Sequence, residues 1–419
     1  YEEETKPPWV IDRRQFKEDY IGYLDRRRTH IYVLDIESGK ISQLTSGDYD
    51  DSQPTWSPDG KSIAFTSNRT ENPDSNYNTD IWRVSTDPEK APASLVQVTV
   101  TDGADSSPAW SPNGQFITHT TVTRPKVIDY AFSHLAISPS KGGKTRVLTA
   151  DLDRMIFNPE YSADGKHIWF LLEDSGEQNL ARIKTDGGET ERLVRGQNVV
   201  RGFNQGQDGQ LAILVSTPHL PTEIFTLTNG KLKQKTFTNH KLLENIQLGE
   251  VVELRFNSRD GTEIEGFVIK PPDFRKGSRY PAILDIHGGP QSQYDYGFSF
   301  DAQLFAANGY LVIQPNPRGS TGYGQEFCLA IWLNYGGPDY DDVMAAVDDA
   351  IARGWADPER LAVTGWSYGG MLTNHVITKT DRFKAAITGA SASFYAANYG
   401  HDQYQRCLLY TSDAADDFA

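Results

Sequence analysis

The sequence has almost no cysteine. Cys328 and Cys407 are the two in 419 residues, too few for a disulfide framework or a cysteine-based zinc site. Long apolar runs are missing too. No stretch approaches the roughly 18 residues needed to cross a bilayer, and mean hydropathy is −0.54. A transmembrane helix is excluded and no membrane partner is expected. Positive charge is also in short supply. Lys and Arg number 41 against 56 Asp and Glu, a net charge of −15 with a pI near 5.1. No basic cluster offsets this, so a nucleic-acid partner is not expected. Neither a metal ion nor an organic cofactor is indicated. The N-terminus begins at Tyr1 and lacks a charged start followed by an apolar segment, so no signal peptide is visible. Scarce cysteine fits a cytoplasmic protein, although a lost leader would leave the same trace.

What is present is enough for sizeable cores: 38% hydrophobic and 11% aromatic residues. The length calls for at least two domains. A turn recurs along the first part. Trp56-Ser57-Pro58-Asp59-Gly60 precedes the strand-like Ser62-Ile63-Ala64-Phe65-Thr66-Ser67. Trp110-Ser111-Pro112-Asn113-Gly114 and Tyr161-Ser162-Ala163-Asp164-Gly165 repeat it, and Gln207-Asp208-Gly209 is a degenerate fourth copy. Asp59, Asn113, Asp164 and Asp208 stand 54, 51 and 44 residues apart. Pro fixes φ in such a turn, Gly accepts a positive φ, and a β-rich strand follows. Further strand pairs lie between the copies, such as His30–Asp35 with Ile41–Leu44. About four short strands per repeat is the pattern of a β-propeller blade. A β-sandwich with chance turn similarity is the alternative. Residues 1–245 are read as a β-propeller, all-β and partial, of about five blades.

From about residue 246 the texture changes. Val252–Phe256 and Ile264–Ile269 flank Ser258-Arg259-Asp260-Gly261, a hairpin. Strands at Ala282–Ile286, Tyr310–Ile313, Leu361–Thr364 and Lys384–Thr388 then alternate with helices at 301–308, 341–353 and 371–377. The longest helix would bury Val343, Val347, Ala350 and Ile351. This alternation predicts a parallel α/β sheet, the α/β-hydrolase type of domain, over residues 246–406.

Gly365-Trp366-Ser367-Tyr368-Gly369 matches the G-x-S-x-G elbow. The pattern alone is weak. Here it follows a strand and opens a helix, the setting in which it holds a serine with its Oγ exposed. Gly365 and Gly369 remove Cβ atoms from a tight turn, Ser367 is the candidate nucleophile, and the helix N-terminus favours developing negative charge. An ordinary Gly-rich strand–helix turn is the bland alternative. His287-Gly288-Gly289-Pro290 follows the first α/β strand, where adjacent glycines let a backbone N–H face a substrate carbonyl. Gly289, or else Gly288, would pair with the N–H of Tyr368 as an oxyanion hole. His287 precedes the serine and is read as a local hydrogen bonder, not as the base.

Residues 250–406 resemble the catalytic domain of the prolyl oligopeptidase family of serine peptidases. The stretches that carry this are Arg259-Asp260-Gly261, His287-Gly288-Gly289-Pro290, Asn316 through Gly324, and Gly365 through Met371. Residues 1–245 resemble that family's propeller, and His-Gly-Gly-Pro is most similar to its acylaminoacyl-peptidase branch. The resemblance implies a serine peptidase acting on short peptides, gated by the propeller. Cleavage next to an acylated or free N-terminal residue is the first expectation, and oligopeptide endo-cleavage the next. An esterase on the same scaffold and a non-catalytic propeller binding protein are the rivals, and a homo-oligomer is admitted. Tyr1-Glu2-Glu3-Glu4 is similar to the amine-binding motif of dipeptidyl peptidases, but leads into Lys6-Pro7-Pro8-Trp9 and is read as a solvated charge run. Arg318 is expected to pair a carboxylate of the chain; a substrate carboxylate is the alternative.

A serine nucleophile needs a histidine base and an orienting carboxylate. The resemblance puts them roughly 80 to 110 residues beyond Ser367, in the order Ser, Asp, His. Asp381, His375, His401 and Asp402 are poor substitutes, being too close in sequence to Ser367. The chain as written is therefore expected to be inactive. From Cys407 the residues look like an in-frame translation of a sequencing-library adapter, so 407–419 are expected to be an assembly artefact. Native reads encoding Cys407 onward would refute that. The N-terminus is expected to be cut as well, since the resemblance implies about seven blades.

Overall fold

The computed structural model describes residues 10–394 except 207 and 229, together with residues 398 and 403. The Tyr1–Glu4 start, His401, Asp402 and the 407–419 segment lie outside the described residues. Two compact units divide the chain. One comprises Phe132–Leu135 and Leu148–Ser393, the other the remaining described residues.

The repeated turn does what its residues require. Ser57 Oγ donates to Asp59 Oδ1 at 2.7 Å and accepts from the N–H of Ser62 at 2.9 Å. Ser111 does the same with Asn113 and Phe116, and Ser162 with Asp164 and His167. The closing glycines Gly60, Gly114 and Gly165 take φ of 70°, 68° and 70°, where a Cβ would be strained. Each turn joins the first two strands of an antiparallel four-stranded set. The first set is Asp51–Trp56, Ser62–Ser67, Asp80–Ser85 and Val96–Gln97. The second is Asp105–Trp110, Phe116–Val122, Ser133–Pro139 and Arg146–Val147. The third runs from Ile156–Tyr161 to Glu191–Val194 and the fourth from Val199–Gln205 to Lys231–Gln234; one parallel pair, Gln178 with Val199, links them. A pair at Tyr32–Leu34 and Ile41–Gln43 precedes them all. These are propeller blades, and alternate apolar side chains such as Trp169, Leu171, Leu180, Val200 and Ile213 form their core. Trp110 packs against the buried group Ala64, Ile81, Val98 and Ile117. Trp56, its counterpart one repeat earlier, is 54% exposed.

Residues 251–389 carry one six-stranded sheet and the helices that connect it. Its strands are β1 (Val251–Asn257), β2 (Glu263–Ile269), β3 (Tyr280–Ile286), β4 (Leu311–Asn316), β5 (Ala356–Trp366) and β6 (Phe383–Gly389), in the order β1-β2-β4-β3-β5-β6. β3 to β6 are parallel, as the alternation predicts. The 252–269 hairpin forms as expected, β1 pairing antiparallel with β2, and it also joins the sheet. β2 runs antiparallel beside β4, so the sheet is mixed. The reason is burial: Ile264 through Ile269 are all covered, which an isolated hairpin could not achieve. Helices α1 (Phe300–Ala307), α2 (Gln325–Leu329), α3 (Pro338–Ala352) and α4 (Tyr368–Lys379) connect the strands. α3 starts three residues before the predicted Asp341 because Pro338 suits the first helical turn. It buries Val343, Met344, Ala346, Val347 and Ala350 and leaves Ile351 half-buried.

Candidate active site

β5 ends at Trp366, and Ser367 is the N-cap of α4 with φ 56° and ψ −121°. A serine in that region costs about 1–3 kcal/mol and persists only where its surroundings hold it. The holding is visible. Its N–H donates to Gly389 O on β6 at 2.9 Å, and its carbonyl accepts from Met371 N–H in α4 at 3.0 Å. The elbow glycines permit the turn. A Cβ on Gly369 would lie 2.7 Å from His287 O and closer still to Ile286 O, and one on Gly365 would meet Ile286 O at 2.9 Å. β5 and α4 therefore press directly on the end of β3.

That end of β3 carries the second segment. A Cβ on Gly288 would stand 3.4 Å from Ser367 Cβ and 3.1 Å from Trp366 O, so the glycine loop lies beside the serine. Gly289 takes φ 121°, and its bond to Pro290 is cis. His287 is buried with Nδ1 2.7 Å from Gly288 O and Nε2 3.1 Å from Ser320 Oγ. Burial pushes its pKa down to about 4, so the ring is neutral at ordinary pH. One partner is its chain neighbour and the other, Ser320, lies 33 residues on, so the ring ties the glycine loop to the segment after β4. Within the same unit, the blade hairpin around Ser175 and Gly176 braces this loop. Gly176 N–H donates to Gln293 Oε1 at 3.0 Å, Gln293 Nε2 donates to Glu177 O at 3.1 Å, and Ser175 N–H donates to Gly322 O at 3.0 Å.

Arg318 is spent inside the chain. Its guanidinium meets Asp342 at 2.7 and 3.0 Å and Asp260 at 2.5 Å, with Ser258 beside it. It holds the β1–β2 turn to α3, which leaves little of its fork for a substrate carboxylate. His375 is packed in α4, edge-on to Tyr340 with ring centres 5.6 Å apart. Asp381 is exposed just beyond α4.

Two arrangements were not legible in the sequence. Tyr368 buries its phenol, which donates to Asp339 Oδ2 at 2.5 Å. The only hint was an acidic residue at the start of a helix, a position with an ordinary dipole explanation. In the propeller, His119 lies 3.0 Å from Ser138 Oγ and 3.6 Å from Asp105, a Ser–His–Asp set. All three residues are 0% exposed, so no substrate reaches them and the set is core. Among the described residues, no group of three or more His, Cys, Asp or Glu is placed to hold a metal ion, and no helix is long and apolar enough to cross a membrane.

Residues 296–414 match the family model described as the prolyl oligopeptidase family, and residues 24–150 match the TolB β-propeller domain. An uncharacterised peptidase of Bacillus subtilis, YuxL, is 31% identical over 423 residues, covering 95% of this chain and 62% of the relative. Dipeptidyl-peptidase 5 of Porphyromonas gingivalis is 29% identical over 344 residues, 80% of this chain and 49% of that protein. Among solved structures, Pyrococcus horikoshii acylaminoacyl peptidase superposes with a TM-score of 0.80 at 26% identity, over 94% of this chain and 61% of its own. The chain thus spans about half to three fifths of the relatives it matches. The first match falls on the strands and helices that frame Ser367, and over residues 296–414 the chain is similar to the prolyl oligopeptidase family.

Proposed function

We propose that the protein is a serine peptidase that hydrolyses short peptides through an acyl-enzyme on Ser367. Ser367 Oγ attacks the scissile carbonyl carbon and an O–C bond forms. The carbonyl oxygen takes up the electron pair and is held by the N–H groups of Tyr368 and Gly289. The C–N bond then breaks. The serine proton passes to a base outside the described residues and on to the leaving amine, and water releases the acid by the reverse sequence. Neither metal nor organic cofactor enters these steps. The observation that supports the reading best is the backbone of Ser367, at φ 56° and ψ −121° on the N-terminus of α4 and beside Gly288.

Substrates with an acylated or free N-terminal residue are the preferred class. The name of the Pyrococcus structure, acylaminoacyl peptidase, supports this choice. The cytoplasm is the proposed compartment, on the strength of the low cysteine content. The test is fluorophosphonate labelling of the full-length protein, with Ser367→Ala as control, followed by turnover of acylated, free and N-terminally extended peptides. Labelling lost in S367A together with peptide turnover supports the proposal. Turnover of short acyl esters alone favours an esterase, and no labelling favours a binding protein.

A further inference from the structure

We propose that Asp339 is a positioning residue: through the phenol of Tyr368 it fixes the Ser367–Tyr368 peptide at the head of α4. This rests on the reading of Ser367 as nucleophile and of the Tyr368 N–H as an oxyanion donor.

The first turn of a helix is the part whose N–H groups the helix's own carbonyls do not aim. Side chains and neighbouring elements must set their direction. The two backbone hydrogen bonds of Ser367 tie it to β6 and to the next turn of α4. Tyr368 carries a third tie at the far end of its side chain. The residue is 4% exposed, and its hydroxyl donates to Asp339 Oδ2 at 2.5 Å. Asp339 is 0% exposed and lies in the first turn of α3, whose Val343, Ala346, Val347 and Ala350 are also 0% exposed. The phenol is thus fastened to a helix that cannot shift without opening the core.

Asp339 is itself held. Its Oδ2 also accepts from Gly336 N–H at 3.2 Å. A Cβ on Gly336 would stand 2.7 Å from the ring of His375, so this glycine lies pressed against α4 one face-repeat beyond Tyr368. Tyr340 meets the same ring edge-on. The entry to α3 therefore grips α4 at two points seven residues apart. Oδ1 of Asp339 has no hydrogen-bond partner, although the residue is fully buried, and desolvation raises its pKa. A half-satisfied buried carboxyl is a costly way to fill space. A directional grip on the phenol gives it a function that an apolar residue could not supply.

The experiment uses the full-length protein and its Tyr368→Phe, Asp339→Ala and Asp339→Asn variants. Peptide turnover, the rate of fluorophosphonate labelling and the thermal midpoint are measured for each. We expect Y368F and D339A to lower kcat about tenfold with KM little changed, less than the 10²–10³ loss on removing an oxyanion donor. Labelling should slow by the same factor. D339N keeps an acceptor for the phenol and should recover most of the loss. The double variant Y368F/D339A should be no worse than either single one, because both break the same link.

Unchanged kcat in Y368F would overturn the proposal, as would a raised KM at constant kcat. So would a D339N variant as defective as D339A. If D339A does not fold, Y368F and D339N still decide the matter. Absent labelling of the parent protein, or labelling that survives S367A, would instead sink the reading of Ser367 and this proposal with it.

Discussion

Ser367 is strained, and the residues around it show why it stays so. Gly369 and Gly365 let β5 and α4 approach the carbonyl of Ile286 more closely than a Cβ allows. We expect Gly369→Ala to cost about 3 kcal/mol, read from a denaturant midpoint, and to abolish labelling of Ser367, because backbone rather than a flexible side chain must move. His287 makes a pH prediction. Its pKa in the fold is about 4, below the ordinary 6.5. The unfolded chain therefore takes up a proton below pH 6.5 that the folded ring refuses. Stability is independent of this group above pH 6.5, falls as pH drops through 6.5 towards 4, and levels off below. The loss is on the order of 3 kcal/mol. His287→Gln should remove that segment of the stability–pH curve, and a curve unchanged by the substitution would show the ring titrates normally. Arg318 is 11% exposed at its side chain and faces a wholly buried Asp342. Arg318→Met leaves that carboxylate unpaired and should cost about 3–5 kcal/mol in chemical denaturation.

The elements were the most legible level, because their signals are local. The blade turn is a self-contained device: a serine hydroxyl that joins an Asp or Asn side chain to the next strand's N–H. Ser111 is 4% exposed and makes both bonds. Ser111→Ala should destabilise its sheet by about 1–2 kcal/mol, seen as faster amide exchange at Phe116 than at Ser62 in the unaltered neighbouring turn. Helices and parallel strands were likewise readable from period and stops, within a few residues. Where reading fell short, partners distant in sequence were responsible. The 252–269 hairpin joins the sheet only because β4, some 45 residues later, offers it an edge. Trp56 and Trp110 look equivalent in sequence, yet Trp110 is half-buried and its indole reaches Thr55 O at 3.1 Å while Trp56 is left exposed.

At the scale of the whole molecule, β6 is the edge of the six-stranded sheet among the described residues. Residues 384–388 are exposed and include Ala385, Ala386 and Ile387, the last at 68%. An exposed apolar edge strand invites pairing with another strand.

Composition, repeat and motif spacing by themselves determined the two kinds of structure along this chain. They also marked Ser367, Tyr368, Gly289 and the elbow glycines as the place for chemistry. Those features are written in short stretches, where a turn, a stop or a strand-to-helix junction depends on a few adjacent residues. Only the tertiary structure decided that Arg318 belongs to Asp342 and Asp260, that a blade hairpin braces the glycine loop, and that Asp339 takes the phenol of Tyr368. Each of these joins polar groups, buried or partly buried, to partners from 24 to 117 residues away. Burial is what makes such a partner obligatory, and burial exists only once the chain has folded.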